Sequence, residues 1–205
     1  MRIAPVLLAL SALAAAPLAA QQMPKEVPGK ANPALVQPGT YSVDAGHTLV
    51  TFRVNHLGFS MYHGQFGNPT GSLTIDPKKP AEAKVDISFP IDSVSTTSEA
   101  LDKHLKGADF FDAAKFPAGR FTSTAVKVSG QTATITGNLT LKGVTHPVTL
   151  QAKFIGAGPS PMGGKLNVGF SATTTVKRSD FGISYGIPMV SDDVDLTIDA
   201  AFVKE

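Results

Sequence analysis

The chain has 205 residues, no cysteine and no tryptophan, and its 18 basic and 16 acidic residues leave a formal charge of +2. Charged residues make up only 17% of it and form no basic stripe, which gives nucleic-acid binding no footing. Without disulfides, a single domain of ordinary size has to hold itself together by its hydrophobic core.

The first twenty residues read as an export signal. Met1-Arg2 is a short positive start, Ile3 to Ala16 is almost unbroken apolar sequence, Pro17 breaks it, and Ala19-Ala20 supply small residues for cleavage. Cleavage after Ala20 is expected, with a periplasmic address for the mature chain. The apolar run is short for a bilayer span and no later segment reaches about 18 apolar residues, so no transmembrane segment is expected. No cysteine follows the signal, which excludes a lipid-anchored lipoprotein. Residues 21–39 carry Pro24, Pro28, Pro33 and Pro38 with no apolar period, and read as a flexible lead-in. The domain is expected to occupy residues 40–205.

From there period-2 alternation dominates. Val50, Phe52 and Val54 share one face with Thr51, Arg53 and Asn55 on the other, and Leu73 and Ile75 continue the theme. Val85, Ile87, Phe89 and Ile91 alternate with Asp86 and Ser88. Ala133 to Leu141, Val148 to Phe154, Leu166 to Ala172 and Val194 to Phe202 repeat the pattern against Thr, Asn, Gln, Lys and Asp. One dry and one wet face mean antiparallel strands. Asp76-Pro77, Ser129-Gly130, Lys142-Gly143 and the segment Gly156 to Gly164 supply the turns. About eight strands in one domain manage their edges by closing into a barrel or packing as two sheets. Pro90 inside an apolar strand signals an edge or a bulge. One short helix interrupts the pattern near residues 97–106. Thr96 to Glu99 fits a capping box, Ala100, Leu101, His104 and Leu105 follow at helical spacing, and Gly107 ends it. Ala108 to Asp112 then places Phe110 and Phe111 on a short turn.

Motifs for chemistry fail on spacing or context. His47, His56, His63, His104 and His146 form no HxH or HxxxH pair, so neither a metal nor a cofactor is expected. His56, on the face of Val50, Phe52 and Val54, reads as an interior or rim histidine. Gly182 to Gly186 matches G-x-S-x-G around Ser184, but that motif needs a strand before it and a helix after it. Ile187-Pro188 follows instead, so the match reads as chance, and no catalytic residue is expected. The twelve phenylalanines point elsewhere. A small barrel lined by Phe, Val and Ile holds an apolar ligand when larger side chains do not plug it.

Several segments in series resemble one family. They are Tyr41 to Thr48; Phe52-Arg53-Val54-Asn55-His56-Leu57-Gly58 with Gly64-Gln65-Phe66; Asp92 to Thr96 with Leu101 to Lys106, Asp109 to Asp112, Phe116-Pro117 and Phe121 to Thr124; Gly137 to Val148; and Arg178 to Gly182. Together they cover Tyr41 to Phe202 and resemble the YceI-like family, described as lipid- or polyisoprenoid-binding. Ala45-Gly46 and Thr48 depart from the family's usual Pro and Ser, which gives this chain a variant turn there. The resemblance implies a single all-β, antiparallel, lipocalin-like barrel. It implies an amphiphilic ligand such as a polyprenyl or quinone-type lipid, a periplasmic or secreted address, and often a homodimer. It hands over no catalytic residue.

On these grounds the pocket lining is read as Phe52, Val54, His56, Phe89, Leu101, Leu105, Phe110, Phe121 and Phe170, with Lys103, His104 and Arg178 as head-group residues at the mouth. Arg178 suits a phosphate, or an ion pair with Asp180 or Asp102. Three functions stay open: a lipid carrier or sequestrant, a hydrolase or metal enzyme using Ser184 or the histidines, and a stress-linked interaction protein whose core fills itself.

Overall fold

Each alternating segment forms a strand in the structure, a computed structural model that describes residues 25–205. The expected export signal lies outside the described residues. The strands are β1 (Gly39–Val43), β2 (Leu49–His56), β3 (Ser60–Phe66), β4 (Thr70–Ile75), β5 (Lys84–Pro90), β6 (Ala118–Ser129), β7 (Thr132–Leu141), β8 (Val144–Pro159), β9 (Leu166–Lys177) and β10 (Asp193–Lys204). A helix, α1 (Glu99–Lys106), lies between β5 and β6.

All pairings are antiparallel, and the ring closes because β10 pairs β1 on one side and β9 on the other. Ten named strands make a barrel of eight positions. β1 and β2 run in succession along β10, through Val43↔Phe202 and Asp199↔Leu49, with only the Ala45–His47 turn between them. β3 and β4 follow them in the same way, β3 against β2 and β4 against β1. Thr48 ties the break to the barrel: its hydroxyl donates to Ala201 O and accepts from Ala201 N.

β4 continues the ring to β5, whereas the outer edge of β3 carries no strand among the described residues and bridges to Ser95 through Gln65. This leaves the barrel open between β3 and β5 at one end, and the helical excursion fills the opening. Phe66, Ile91, Val94 and Leu105 are buried together there, with Leu101, Phe110 and Phe111 packed against them. Pro90 takes the last position of β5, where the ladder is ending. The α1 cap differs from the sequence reading. Ser98 is the cap and accepts from Leu101 N, while Thr96 donates its N–H and hydroxyl to Asp102. Gly107 ends the helix as expected, its N–H on His104 O.

The other end is closed by residues expected to be a flexible lead-in. Lys30 exchanges two backbone hydrogen bonds with Ala157, Gln131 donates to Ala31 O, and Val36 is buried. Tyr41, fully buried, donates its hydroxyl to Gln37 O at 2.7 Å. Composition pointed to a mobile segment here, but one apolar anchor and a β-type contact hold residues 30–38 against β8.

Gly71 is the tightest point of the ladder. Its φ of +126° suits glycine alone, and a Cβ there would lie 2.0 Å from Asp86 O on β5. Gly71→Ala is expected to lower stability by about 2 kcal/mol. Chemical denaturation checks this, with Gly130→Ala, which meets nothing within 4 Å, as the milder control at positive φ.

Ion pairs bind the outer faces of neighbouring strands. Arg120 donates bidentately to Asp86, at 2.8 and 2.6 Å, and its hydrogen bonds and charge hold the Asp86 carboxyl below its ordinary value of 3.8. Thr175 and Arg53 do the same for Asp195. A carboxylate held low in the folded chain stabilises it fully above the ordinary value and loses that contribution as the pH falls below that value and through the lower folded one. The melting temperature is therefore expected to fall as the pH drops below the ordinary carboxyl value of 3.8 toward the lower folded values, and Asp86→Asn to flatten part of that slope.

Candidate functional site: a cavity inside the barrel

The inward residues of the strands do not meet at the centre. They enclose a cavity of about 460 Å³, within the roughly 300–1,000 Å³ usual for ligand pockets. One wall shows its length. Val194, Leu196, Ile198, Ala200 and Phe202 of β10 all line it, a run of about 27 Å at strand rise. At the 35–45° tilt usual in such barrels that wall covers about 20 Å of the barrel axis.

Side-chain size along the strands explains why the protein's own side chains leave this space unfilled. Ala152 and Ala172, direct partners across β8 and β9, both face the lumen. Three of the wall's phenylalanines also lie back against the sheet. The rings of Phe52, Phe89 and Phe121 cover Gly64, Gly119 and Gly137, where a Cβ would come within 2.2, 2.3 and 2.4 Å of them. Rings seated on cross-strand glycines line the lumen without filling it.

The wall is almost wholly apolar, and no carboxylate or lysine is part of it. Its polar members are Thr48, His56, Tyr62, His104, Thr174, Arg178 and Tyr185. Of all the lining residues only His56, Tyr185 and Gly186 are exposed, so they mark the mouth. The mouth lies between the end of β2 and the loop 182–191. His104, Phe110 and Tyr185 cluster at its edge, with ring centroids 4.9–5.3 Å apart. His56 and Tyr62 pair at 6.3 Å. The hydroxyls of Tyr62 and Tyr185 and the ring nitrogens of His56 have no hydrogen-bond partner among the described residues.

All nine residues read as pocket lining stand on the cavity wall: Phe52, Val54, His56, Phe89, Leu101, Leu105, Phe110, Phe121 and Phe170. The three head-group residues separate. His104 reaches the mouth, where its Nε2 lies 3.2 Å from Asp109. Lys103, one residue earlier, projects into solvent from α1 and is not on the wall. Arg178 reaches the wall but is buried and committed elsewhere. Its Nε donates to Ser191 O, Nη1 to Ile183 O and Tyr185 O, and Nη2 to Val190 O. Four of five donors are thus spent on backbone carbonyls. Neither Asp180 nor Asp102 is its partner; Asp192 is the carboxylate that supports its charge, against the burial that pulls its pKa down. Arg178 therefore builds the mouth by pinning loop 182–191 over the barrel.

Residues unrecognised in the sequence complete the site. Phe181 ends the 3₁₀ turn before the loop whose glycines mimic a nucleophile elbow, Ile183, Tyr185 and Val190 come from that loop, and Tyr62 comes from β3. Ser184 follows a short 3₁₀ turn, Arg178–Phe181, and no helix succeeds it. Among the described residues no group of three His, Asp or Glu side chains is arranged to hold a metal ion.

A closed antiparallel barrel around a long apolar lumen defines a calyx, the architecture of lipocalin-like proteins. Comparison with known proteins places it further: residues 41–202 match the family model described as the YceI-like domain, and the chain belongs to that family. It is 45% identical over 167 residues to Protein YceI of Escherichia coli O157:H7, covering 80% of this chain and 87% of that protein. Among solved structures it is similar to the YceI protein of Campylobacter jejuni, at 33% identity and TM-score 0.65, over 74% of this chain and 90% of that one. Two more distant structures share the fold. One is BcnA of Burkholderia cenocepacia, with TM-score 0.70, 23% identity and 78% and 98% coverage. The other is a polyisoprenoid-binding domain of Saccharophagus degradans, with TM-score 0.63, 14% identity and 80% and 98% coverage.

Proposed function

We propose that this protein is an exported binding protein that holds a long-chain amphiphile of the polyisoprenoid type inside its barrel, without transforming it. The observation that carries this reading is the shape and chemistry of the lumen: long, apolar and open at one mouth. Each methylene moved from water into such a lumen contributes about 0.8 kcal/mol, so an extended chain suits it better than a compact polar molecule. The unpartnered groups of His56, Tyr62 and Tyr185 are placed to meet a polar head. The polyisoprenoid-binding domain of Saccharophagus degradans supports the choice of ligand by analogy of fold. The expected signal peptide at residues 1–20 supports export to the periplasm. A continuous void weighs against the alternative of a self-filled core.

The test is native mass spectrometry of protein purified from the compartment where it accumulates, with organic extraction of the same sample. A bound mass identified as a prenyl lipid is expected. An apo mass that stays unchanged after incubation with a long-chain polyprenol overturns the reading.

A further inference from the structure

Exposed apolar side chains concentrate beside the mouth. Leu57, Phe59 and Met61 on the β2–β3 hairpin, and Tyr185, Ile187 and Met189 on loop 182–191, are all exposed, and Phe59 is 90% so. Backbone hydrogen bonds join the two segments: Leu57 N to Met189 O at 2.7 Å, Ser191 N to Asn55 O at 2.9 Å, and a bridge between His56 and Val190. The hairpin tip is a tight turn with positive φ at Leu57 (59°) and Gly58 (74°), closed by Phe59 N on His56 O. A leucine in the left-handed region is uncommon, and its side chain is spent on solvent rather than on the core. Residues 55–64 and 182–191 contain no Asp, Glu, Lys or Arg. Helix α1, whose His104 ring lies 5.1 Å from that of Tyr185, carries Glu99 and Asp102 and also Lys103 and Lys106, which have no carboxylate partner among the described residues.

We infer that this tip docks on a lipid bilayer and inserts Phe59, Leu57 and Met189 among the acyl chains, so that the mouth faces the membrane. The inference rests on the proposed lipid cargo and adds where that cargo enters and leaves. A water-insoluble chain crosses no water if the opening at His56, Tyr185 and Gly186 abuts the bilayer that contains it. The tip's chemistry fits that occupant. An uncharged apolar knob rimmed by Tyr and His suits the interfacial zone, where amphipathic rings collect. Lys103, exposed on the neighbouring helix and without a carboxylate partner among the described residues, is available to an anionic head group, a contribution on the order of 1 kcal/mol. A protruding knob without fixed charge offers a protein partner little to set its orientation.

The chain has no tryptophan, so Phe59→Trp gives a single tryptophan, excited selectively over the tyrosines, at the tip. With vesicles of phosphatidylethanolamine and about a quarter phosphatidylglycerol, free of isoprenoid, its emission is expected to move to shorter wavelength and to be quenched by brominated acyl chains. Phe59→Ser with Met189→Ser is expected to weaken vesicle binding about tenfold or more and to leave polyprenol occupancy from detergent solution unchanged, because neither side chain lines the cavity. Emission that vesicles do not move, or a double variant that binds them like the parent, overturns docking. A shift that instead grows with protein concentration before vesicles are added assigns the tip to a second copy of the chain and also overturns it. Polyprenol uptake without vesicle binding removes this inference and spares the proposed cargo; vesicle binding by a protein that takes up no polyprenol does the reverse.

Discussion

Arg178→Met is expected to lower stability by about 3–5 kcal/mol, the usual cost of removing one partner from a buried charged network. The guanidinium is buried, and its loss leaves Ile183 O, Tyr185 O, Val190 O and Ser191 O without the donors that now hold them. A buried acceptor left unpaired costs about 1–3 kcal/mol, with part recovered where loop 182–191 lifts into water. That lift decides between two outcomes. A loop that peels away exposes the mouth and loses Tyr185 from its cluster with His104 and Phe110; a loop that stays in place destabilises the whole barrel. Hydrogen exchange distinguishes them, with early exchange at Ile183 and Val190, whose amides donate to Arg178 O and Gly186 O, reporting the first. Lysine at 178 keeps the charge but offers three donors where the guanidinium uses four, so Arg178→Lys is expected to recover only part of the loss. An Arg178→Met protein that unfolds at the parent's midpoint with unchanged exchange refutes the pinning role.

The sequence made most of this barrel legible because its lumen is apolar and its outside wet, and a strand turns that contrast into a period of two. Where the contrast fades, so does the legibility. β3 reads Ser60-Met61-Tyr62-His63-Gly64-Gln65-Phe66, with Met61 exposed and a glycine at an inward position, so no alternation announces it. The docking of residues 30–38 depends on Lys30 meeting Ala157, a contact more than a hundred positions away that composition cannot register. The helix shows the opposite lesson. Leu101, His104 and Leu105 share a face by helical spacing and all reach the cavity, while Lys103 falls off that face; the spacing already separated His104 from Lys103. Arg178 misled because nearby carboxylates are visible in sequence, whereas the carbonyls of a folded-back loop are not.

Filling the lumen from the alanine pair is expected to separate ligand capacity from stability most sharply. Ala172→Phe projects a ring from β9 into the void beside Ala152 and Ile198, its partners on β8 and β10. Overpacking usually costs 1–3 kcal/mol because a close-packed core must move aside. Here the ring enters empty space, and filling a cavity returns about 24 cal/mol per Å³. The apo protein is therefore expected to be unchanged or stabilised by up to about 1 kcal/mol, while polyprenol affinity falls by about a hundredfold. Phe52, Phe89 and Phe121 already sit over Gly64, Gly119 and Gly137, so the wall has little room to retreat and the new ring competes directly with the proposed ligand. Melting temperature and mass-spectrometric occupancy measured on the same sample check both halves. Undiminished occupancy means that the chain lies elsewhere in the lumen, and a large loss of stability means that the void is smaller than its walls describe. Small side chains at 152 and 172 then serve the cargo at the expense of the apo fold, which is the trade expected of a binding site.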